Sequence, residues 1–229
     1  MFHNRQKNLD TNIKITINDS QIERAKTTKF LGVILNENLK WNDHITNLHT
    51  KISKNLGVIR KVSHILPKTA LKTLYFSLIH TYLTYCNIIW ASKSTSQLQK
   101  LITVQKKAVR VITGAPWNSH SAPLFNTTKI LKLLDINILQ TYCFMYQHIT
   151  SHLPTNFSDY FQTNSSIHQY NTRSSNKLHI QSCNTSSRQA TIRFRGTSLW
   201  NNLANNLKTL PNIDIFKRKV KDYLLSNYV

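Results

Sequence analysis

The chain of 229 residues is 40% hydrophobic and contains nine Phe and nine Tyr, which argues for a folded core and against a disordered chain. Its thirty Lys and Arg face nine acidic residues, for a formal net charge of +21. Such a charge predicts a polyanionic partner, with nucleic acid as the first candidate and an anionic membrane surface as the second. Three widely spaced cysteines argue against a disulfide framework or a zinc knuckle and favour a reducing compartment.

The basic excess is spread along the chain, because no acidic residue lies between Asp43 and Asp135. Met1–Asp10 lacks the apolar core of a signal peptide. The most apolar stretch, Leu74–Trp90, is interrupted by polar side chains and is too short and too polar to predict a membrane span. We therefore expect an intracellular protein, in the nucleus or the cytoplasm, without a membrane partner.

The N-terminal 35 residues predict a small antiparallel β element. Isoleucines alternate with polar residues over residues 11–18, a pattern typical of a half-buried strand. Turn-forming residues follow, and residues 21–28 predict a second strand or an extended return. The apolar run Phe30–Leu35 predicts a further strand.

Apolar residues at three- and four-residue spacings predict three helices between residues 42 and 114. The first is long, amphipathic and capped at Asn42 or Asp43. The second has Pro67 in its first turn and extends to Trp90, and the third begins near Ser96. The residues expected to face the core are Ile45, Leu48, Ile52, Leu56, Ile59, Val62 and Leu66 in the first helix, Leu71, Leu74, Leu78 and Tyr82, with Tyr75 and Ile79 beside them, in the second, and Leu98, Leu101, Ile102, Val109 and Ile112 in the third.

The pattern beyond residue 114 becomes less regular. It predicts a loop over residues 117–127, a short helix at Lys129–Leu134 and a longer helix with Asp135 as its N-cap. The longer helix ends before Pro154, and its inward residues are expected to be Ile138, Tyr142, Met145 and Ile149.

Residues 155–188 are rich in Ser, Asn, Thr and Gln and lose the apolar periodicity, which predicts a boundary with a C-terminal appendage. Within the appendage, short strands are predicted at Lys177–Ile180 and Ala190–Phe194. Helices are predicted at Thr197–Leu207 and Ile213–Leu225.

The whole pattern predicts a mainly α protein with a small N-terminal antiparallel β element (α+β), in which a helical bundle precedes an irregular α/β appendage. We divide the chain into a β element at residues 1–41, a basic helical bundle at 42–154 and the appendage at 155–229.

Lysines recur on the faces of the first and third helices that lie opposite the apolar stripes. We interpret these faces as phosphate-tracking surfaces, because acidic residues are absent from their surroundings. A merely solvated basic face is the alternative. The candidate nucleic-acid-binding residues are Lys51, Lys54, Lys61, Lys100, Lys106, Lys107 and Arg110.

No motif for catalysis or metal binding is found in the sequence. It has no Asp-Asp pair, no phosphate-cradling glycine-rich loop, no G-x-S-x-G, no H-E-x-x-H and no Cys/His metal spacing. Lone histidines on a basic helix, such as His44, are usually surface residues or satisfied core residues. We therefore predict no catalytic residue and no metal ligand in this chain.

Lys29–Ile45, KFLGVILNENLKWNDHI, closely resembles the F-L-G-V-x-x-(D/N)-x-x-L-x-W-x-x-H-I segment of jockey-like non-LTR retrotransposon reverse transcriptases. The resemblance implies a primer-grip region that leads into the thumb, with Phe30, Leu31 and Gly32 at the grip. The apolar run itself, however, favours a core position for Phe30 and Leu31, and a β-bulge is the alternative for Gly32. Trp41 is expected to anchor the core at the strand–helix junction rather than to stack on a base.

Four later segments resemble motifs of the same family in the same order. The resemblance gives Trp90 a place as a second structural anchor. It also makes Arg173 a candidate contact to template RNA, together with Arg193 and Arg195, although all three arginines could simply lie exposed. The segments are Ser77–Trp90 (SLIHTYLTYCNIIW), Leu101–Gly114 (LITVQKKAVRVITG), Tyr170–Arg173 (YNTR) and Gly196–Asn201 (GTSLWN).

The resemblance implies a fragment of an RNA-directed DNA polymerase that grips RNA or an RNA–DNA hybrid through phosphates. Palm and fingers would be supplied in cis or in trans, and Mg²⁺ would belong to the palm, so we expect no cofactor in this chain and no activity from it alone. Asn36 stands where the family more often has Asp, and the palm carboxylates and the frequent Cys/His knuckle are absent. The alternative function is a catalytically inert basic helical interaction module, from a domesticated or degenerate element.

Overall fold

The computed structural model describes residues 15–92, 95–168, 170 and 172–228. Within these residues the protein is mainly helical, with two small antiparallel β-hairpins at its N-terminal end, so the predicted fold class is confirmed. The predicted strand over residues 11–18 lies partly outside the described residues, which begin at Ile15.

The β element consists of two separate hairpins and not of one sheet. Strands β1 (Ile15–Ile17) and β2 (Ser20–Ile22) pair antiparallel, as do β3 (Thr27–Phe30) and β4 (Val33–Asn36). The predicted single strand Phe30–Leu35 is therefore wrong. Leu31 and Gly32 have φ angles of 46° and 82°, and two successive residues with positive φ form the turn that joins tightly twisted strands.

Every residue from Ile15 to Gly32 is exposed, and Val33 is the first buried residue of the chain that the structure describes. The predictions of a half-buried first strand and of a core position for Phe30 and Leu31 are wrong. Phe30 is 63% exposed and Leu31 72% exposed, because the turn places them at the tip of the hairpin, away from the helices.

Helix α1 (Asn42–Val62) confirms the long amphipathic helix, and its predicted residues from Ile45 to Ile59 are buried. Trp41 occupies the N-cap position and makes no side-chain cap bond, so the predicted caps at Asn42 and Asp43 are wrong. Asp43 lies in the first turn and accepts a hydrogen bond from the Asn36 amide at 2.8 Å, which ties the end of β4 to the helix.

The second predicted helix is interrupted twice. Helix α2 (Lys68–Tyr75) passes into a π-helical turn (Phe76–His80) and then into α3 (Thr81–Thr84). Cys86, with a φ angle of 49°, interrupts the helix before α4 (Asn87–Trp90). The π-helical turn holds more than 3.6 residues and rotates the faces of the helix. Leu71, Tyr75 and Ile79 are buried as predicted, whereas Leu74, Leu78 and Tyr82 are only partly buried, and Leu83 is buried in place of Tyr82.

Helix α5 (Thr95–Thr113) confirms the third helix, and Gly114, with a φ angle of 70°, ends it as predicted. The predicted loop at 117–127 is wrong, because α6 (Ser121–Thr128) occupies most of it and buries Phe125. The short helix predicted at Lys129–Leu134 is also wrong. Lys129 has a φ angle of 53° and ends α6, which leads to an extended connection.

Helix α7 (Leu133–Ile149) begins before Asp135, which lies in its first turn and is not the N-cap. The buried amide of Gln105 on α5 fixes this start: its Oε1 accepts a hydrogen bond from Leu133 N, and its Nε2 donates to Leu131 O. Tyr142 and Met145 are buried as predicted, whereas Ile149 is 48% exposed.

The C-terminal region contains the short helices α8 (Asn164–Ile167) and α9 (Ser186–Gln189), then α10 (Ile192–Asn202), α11 (Asn205–Lys208) and α12 (Ile213–Ser226). The strand predicted at Ala190–Phe194 is wrong, because α10 begins within it. At Lys177–Ile180 only Leu178 forms a β-bridge, with Thr163. Helix α12 confirms the last predicted helix, with Phe216, Val220 and Leu224 buried.

One hydrophobic cluster connects the helices that the structure describes. Helix α1 packs against α5, and α7 contacts α4, α10 and α12. Trp41, Trp90 and Trp200 all lie in this cluster, at 8%, 0% and 6% exposure. Helix α7 thus lies between α4 on one side and α10 and α12 on the other, and it positions the groove described next. None of the described helices is long and apolar enough to cross a membrane.

Candidate nucleic-acid interface

A groove of about 800 Å³ lies where the segment from Phe76 to Ile88, helix α7 and helix α12 meet. Its walls are mostly apolar, with Leu139 and Phe144 on α7. Three lysine side chains line it, and none of the described residues that line it is acidic. We call it the basic groove, and its lysines are Lys129, Lys217 and Lys221.

Lys217 lies close enough to Lys221 in the basic groove to lower its pKa. Burial and the ammonium groups of Lys72 and Lys217 lower the pKa of Lys221, and the Asp222 carboxylate opposes this only in part. Burial, with Lys221 and Lys217, also lowers the pKa of His80 to about 4, so His80 is neutral at pH 7. The positive charge of the groove is therefore poorly compensated within the described residues, which favours an anionic partner.

One end of the basic groove reaches the tip of the β3–β4 hairpin. Tyr85 lines the groove, and its hydroxyl donates a 2.6 Å hydrogen bond to the Leu31 carbonyl. A Cβ at Gly32 would lie only 3.5 Å from Cε1 of the same ring. This tyrosine therefore holds the Phe30–Gly32 tip against the mouth of the groove, with the side chains of Phe30 and Leu31 facing solvent.

Strand β4 of the same hairpin is held by buried His44. Its Nδ1 accepts a 3.3 Å hydrogen bond from Ile34 N on β4. Its ring packs edge-on between Trp41 and Trp90, with centroid distances of 6.4 and 5.7 Å. Burial and the positive charge of Lys51 lower the pKa of His44. The hairpin is thus tied to α1 along β4, through His44 and Asp43, and to Tyr85 at its tip.

The lysines predicted from the sequence lie elsewhere. The α1 lysines are exposed, and Lys51 has its Nζ 5.7 Å from the centre of the Tyr82 ring. On α5, Lys100 and Lys107 are exposed, whereas Lys106 is partly buried beside a second cavity. The α1 residues are Lys51, Lys54 and Lys61, and none of the predicted lysines lines the basic groove.

Two of the candidate arginines have structural partners. Arg110 donates from Nε and Nη2 to the Ser119 carbonyl at 3.0 and 2.9 Å, and so holds the loop after α5. Arg195 is partly buried and donates to Asn137 on α7, and burial lowers its pKa. These contacts argue against both as phosphate contacts.

The remaining arginines differ in freedom. Arg193 donates to the Tyr160 carbonyl at 3.2 Å and lies 4.4 Å over the centre of the Tyr160 ring. Arg173 is exposed. Arg173 therefore stays a prediction as a nucleic-acid contact.

Two positions of the family-like motifs, Trp90 and Asn201, build the scaffold. Trp90 Nε1 donates to the Tyr85 carbonyl at 2.9 Å and thereby supports the tyrosine that touches the hairpin. Asn201 pairs with both backbone groups of Leu178, at 2.8 and 3.1 Å. Trp90 and Asn201 therefore position the site, whereas Tyr85 of the Ser77–Trp90 motif also lines it.

Sequence reasoning missed Tyr85, Lys129, Lys217 and Lys221 as interface residues. The segment FKRKVKD at 216–222 holds four cations among seven residues, which is a signal that could have been used. No local pattern indicates that Lys217 and Lys221 face Tyr85. These two lysines lie more than 130 positions after Tyr85 in the chain and are brought to it by α7.

Within the described residues, no group of three or more His, Cys, Asp or Glu side chains is placed to hold a metal ion. Cys86, Cys143 and Cys183 are free thiols, and burial raises the pKa of Cys143 to about 11. The chemistry that the side chains of the basic groove support is the binding of an anion by lysines.

Comparison with known proteins gives three similar relatives. The chain is 29% identical over 139 residues to an RNA-directed DNA polymerase from the mobile element jockey of Drosophila melanogaster, and 28% identical over 125 residues to that of Drosophila funebris. It is 24% identical over 125 residues to the probable RNA-directed DNA polymerase from transposon X-element of Drosophila melanogaster. The matches cover 53–56% of this chain and 14% of each relative.

No protein-family model matches the chain, and no solved structure matches it. Because the matches span about one seventh of the relatives, they indicate a region and not a whole enzyme. The resemblance that the motifs predicted is confirmed: over about half of its length, this chain is similar to a region of jockey-like RNA-directed DNA polymerases.

Proposed function

We propose that this chain grips the template–primer duplex of a non-LTR retrotransposon reverse transcriptase. The observation that carries the proposal is the continuity of the basic groove with the hairpin tip through Tyr85. A phosphate backbone lies along the lysines, while the Phe30–Gly32 turn contacts the primer strand. The carboxylates and Mg²⁺ for nucleotide transfer come from a palm supplied in cis or in trans.

The hairpin tip suits contact with a nucleic-acid strand for a physical reason. The turn exposes apolar side chains and backbone groups on a support that is fixed at both ends, so little conformational entropy remains to be lost on binding. Gly32 keeps the turn in the left-handed region and adds no side chain between the tip and Tyr85.

The groove suits phosphates rather than bases. Lysine is a flexible point charge, and contacts to phosphate oxygens fix the position of a duplex without reading its sequence. We therefore expect weak sequence preference and a steep dependence on salt, since each neutralised phosphate releases bound counterions.

The test is hybrid binding by the full chain and by two matched triple variants, followed across a salt series. Lys129→Gln, Lys217→Gln and Lys221→Gln together should lower the slope of log affinity against log salt by about 3. The matched control, Lys54→Gln, Lys61→Gln and Lys100→Gln together, removes the same charge from the exposed faces of α1 and α5. A larger loss in the control would move the duplex to those faces, and a salt-independent affinity would overturn the proposal.

A second candidate function is a catalytically inert interaction module. It is favoured by the β1–β2 hairpin, whose Ile15, Ile17 and Ile22 side chains are 51%, 59% and 47% exposed. Apolar side chains grouped in this way suit a protein surface. Chains that bound a protein partner but no RNA–DNA hybrid at low salt would support this candidate in place of the first.

A further inference from the structure

We propose that Trp117 is a stacking platform for an unpaired base of single-stranded RNA, next to the duplex grip. The inference rests on the proposed function and adds to it a second class of contact. Trp117 is 87% exposed, whereas the other three tryptophans are 0–8% exposed. A fully solvated indole costs free energy that a stacked base would recover, and every base offers a face for stacking.

The loop that carries Trp117 is held rigid. Ala115 N donates to the Arg110 carbonyl at 3.0 Å, and Ser119 N donates to the Pro116 carbonyl at 3.1 Å, which closes a turn around the tryptophan. The Arg110 guanidinium clamps the Ser119 carbonyl with two bonds. A rigid platform loses little entropy when a base stacks on it, so the arginine acts as a positioning residue.

The charges around the loop favour nucleic acid over a protein partner. Lys107 is exposed about 9 Å before the end of α5, at 1.5 Å per residue. A cavity of about 600 Å³ beside the loop is lined by His120, Lys106 and Lys132. The one acidic residue that lines this cavity, Asp135, accepts a hydrogen bond from the Tyr228 hydroxyl. An exposed aromatic ring on a loop whose flanking segments carry cations is a combination that suits the binding of single strands without sequence preference.

The tryptophans supply the measurement. Trp117 is the exposed fluorophore, so stacking of a base should quench the exposed part of the emission, while the buried indoles of Trp41, Trp90 and Trp200 keep theirs. We expect a twelve-nucleotide polyuridine RNA to quench the tryptophan emission of the full chain. The bound RNA should also protect the exposed indole from quenching by iodide. A blunt RNA–DNA hybrid should bind with little quenching, because its bases are already stacked.

The variant Trp117→Leu keeps an apolar side chain and removes the stacking ring. It should weaken polyuridine binding about tenfold and leave hybrid binding within twofold. Ile65→Ala is the control, because Ile65 is a 72% exposed apolar residue in the turn after α1 and should affect neither ligand.

The possible failures are distinguishable. In one outcome the parent chain binds the hybrid, polyuridine does not quench its emission, and Trp117→Leu does not weaken polyuridine binding. That outcome overturns the stacking platform and leaves the grip intact. A chain that binds neither ligand at low salt overturns the proposed function together with this inference. Loss of hybrid binding in Trp117→Leu to the same degree as polyuridine would also overturn the platform, because the ring would then be part of the duplex grip.

Discussion

The two ends of the described chain use apolar residues in opposite ways. The N-terminal hairpins expose all of their residues up to Gly32, including five large apolar side chains. The C-terminal helices α10 and α12 instead pack on α7, where Phe216 and Val220 are 0% exposed. Sequence patterns predicted a small antiparallel sheet with a half-buried first strand at the first end and an appendage at the second. The difference teaches that alternation indicates where an apolar face is, but not whether the same chain covers it.

The largest expected effect compares two phenylalanines. Phe216 stacks on Tyr146 at 4.5 Å and lies 6.1 Å from Trp200, so Phe216→Ala leaves a cavity and should lower the free energy of unfolding by about 3–5 kcal/mol. Phe30→Ala removes the same side chain from the exposed tip and should change it by less than about 0.5 kcal/mol. Denaturant unfolding followed by circular dichroism measures both, and equal losses would mean that the tip belongs to the core.

The next effect is a loss of stability in acid, which the burial of His80 beside α12 should cause. The pKa of His80 is about 4 in the fold and 6.5 in the unfolded chain, so the unfolded state binds more protons between these values. The contribution of neutral His80 to the free energy of unfolding is therefore complete above pH 6.5. It is lost as the pH falls to 4, and the loss is at most about 3 kcal/mol.

Unfolding of the His80→Gln variant should therefore show a weaker rise in stability from pH 4 to pH 6.5 than that of the parent chain. His64→Gln changes an exposed histidine in the turn after α1 and serves as the control. An identical pH profile for His80→Gln and the parent would contradict a neutral, buried His80 beside Lys217 and Lys221.

A smaller effect concerns the end of α12. The Tyr228 hydroxyl donates to Asp135 on α7 and accepts a 2.8 Å hydrogen bond from Lys132 N. Tyr228→Phe leaves both partners without this bond and should cost about 1–3 kcal/mol in the free energy of unfolding. Tyr223→Phe, at a 49% exposed position of the same helix, should be nearly neutral, and a neutral Tyr228→Phe would show that the hydroxyl does not secure the C-terminal half.

Particular residues show how far the sequence alone could go. Helices α1, α5 and α12 follow from apolar spacing, because each buries one continuous stripe. The sequence placed Tyr75 and Ile79 in the stripe of the second predicted helix, but it did not indicate that Leu83 is buried in place of Tyr82, because the π-helical turn at Phe76–His80 rotates the faces that follow it. The hairpin turn was missed because Leu31 adopts a positive φ angle, which is rare for a branched apolar residue. The basic groove was missed because its lysines and Tyr85 meet only through tertiary packing.

The smallest expected effect concerns the bond that holds the hairpin tip, from the Tyr85 hydroxyl to the Leu31 carbonyl. Tyr85→Phe removes the hydroxyl and frees the tip, but both residues are exposed, so thermal unfolding should not change. If the tip must be held at the mouth of the groove to grip a primer, affinity for the RNA–DNA hybrid should fall about threefold to tenfold. Tyr82→Phe removes a hydroxyl one turn earlier and is the control. Unchanged affinity in Tyr85→Phe would separate the hairpin from the groove, because an exposed tip that needs no fixed position serves some other surface.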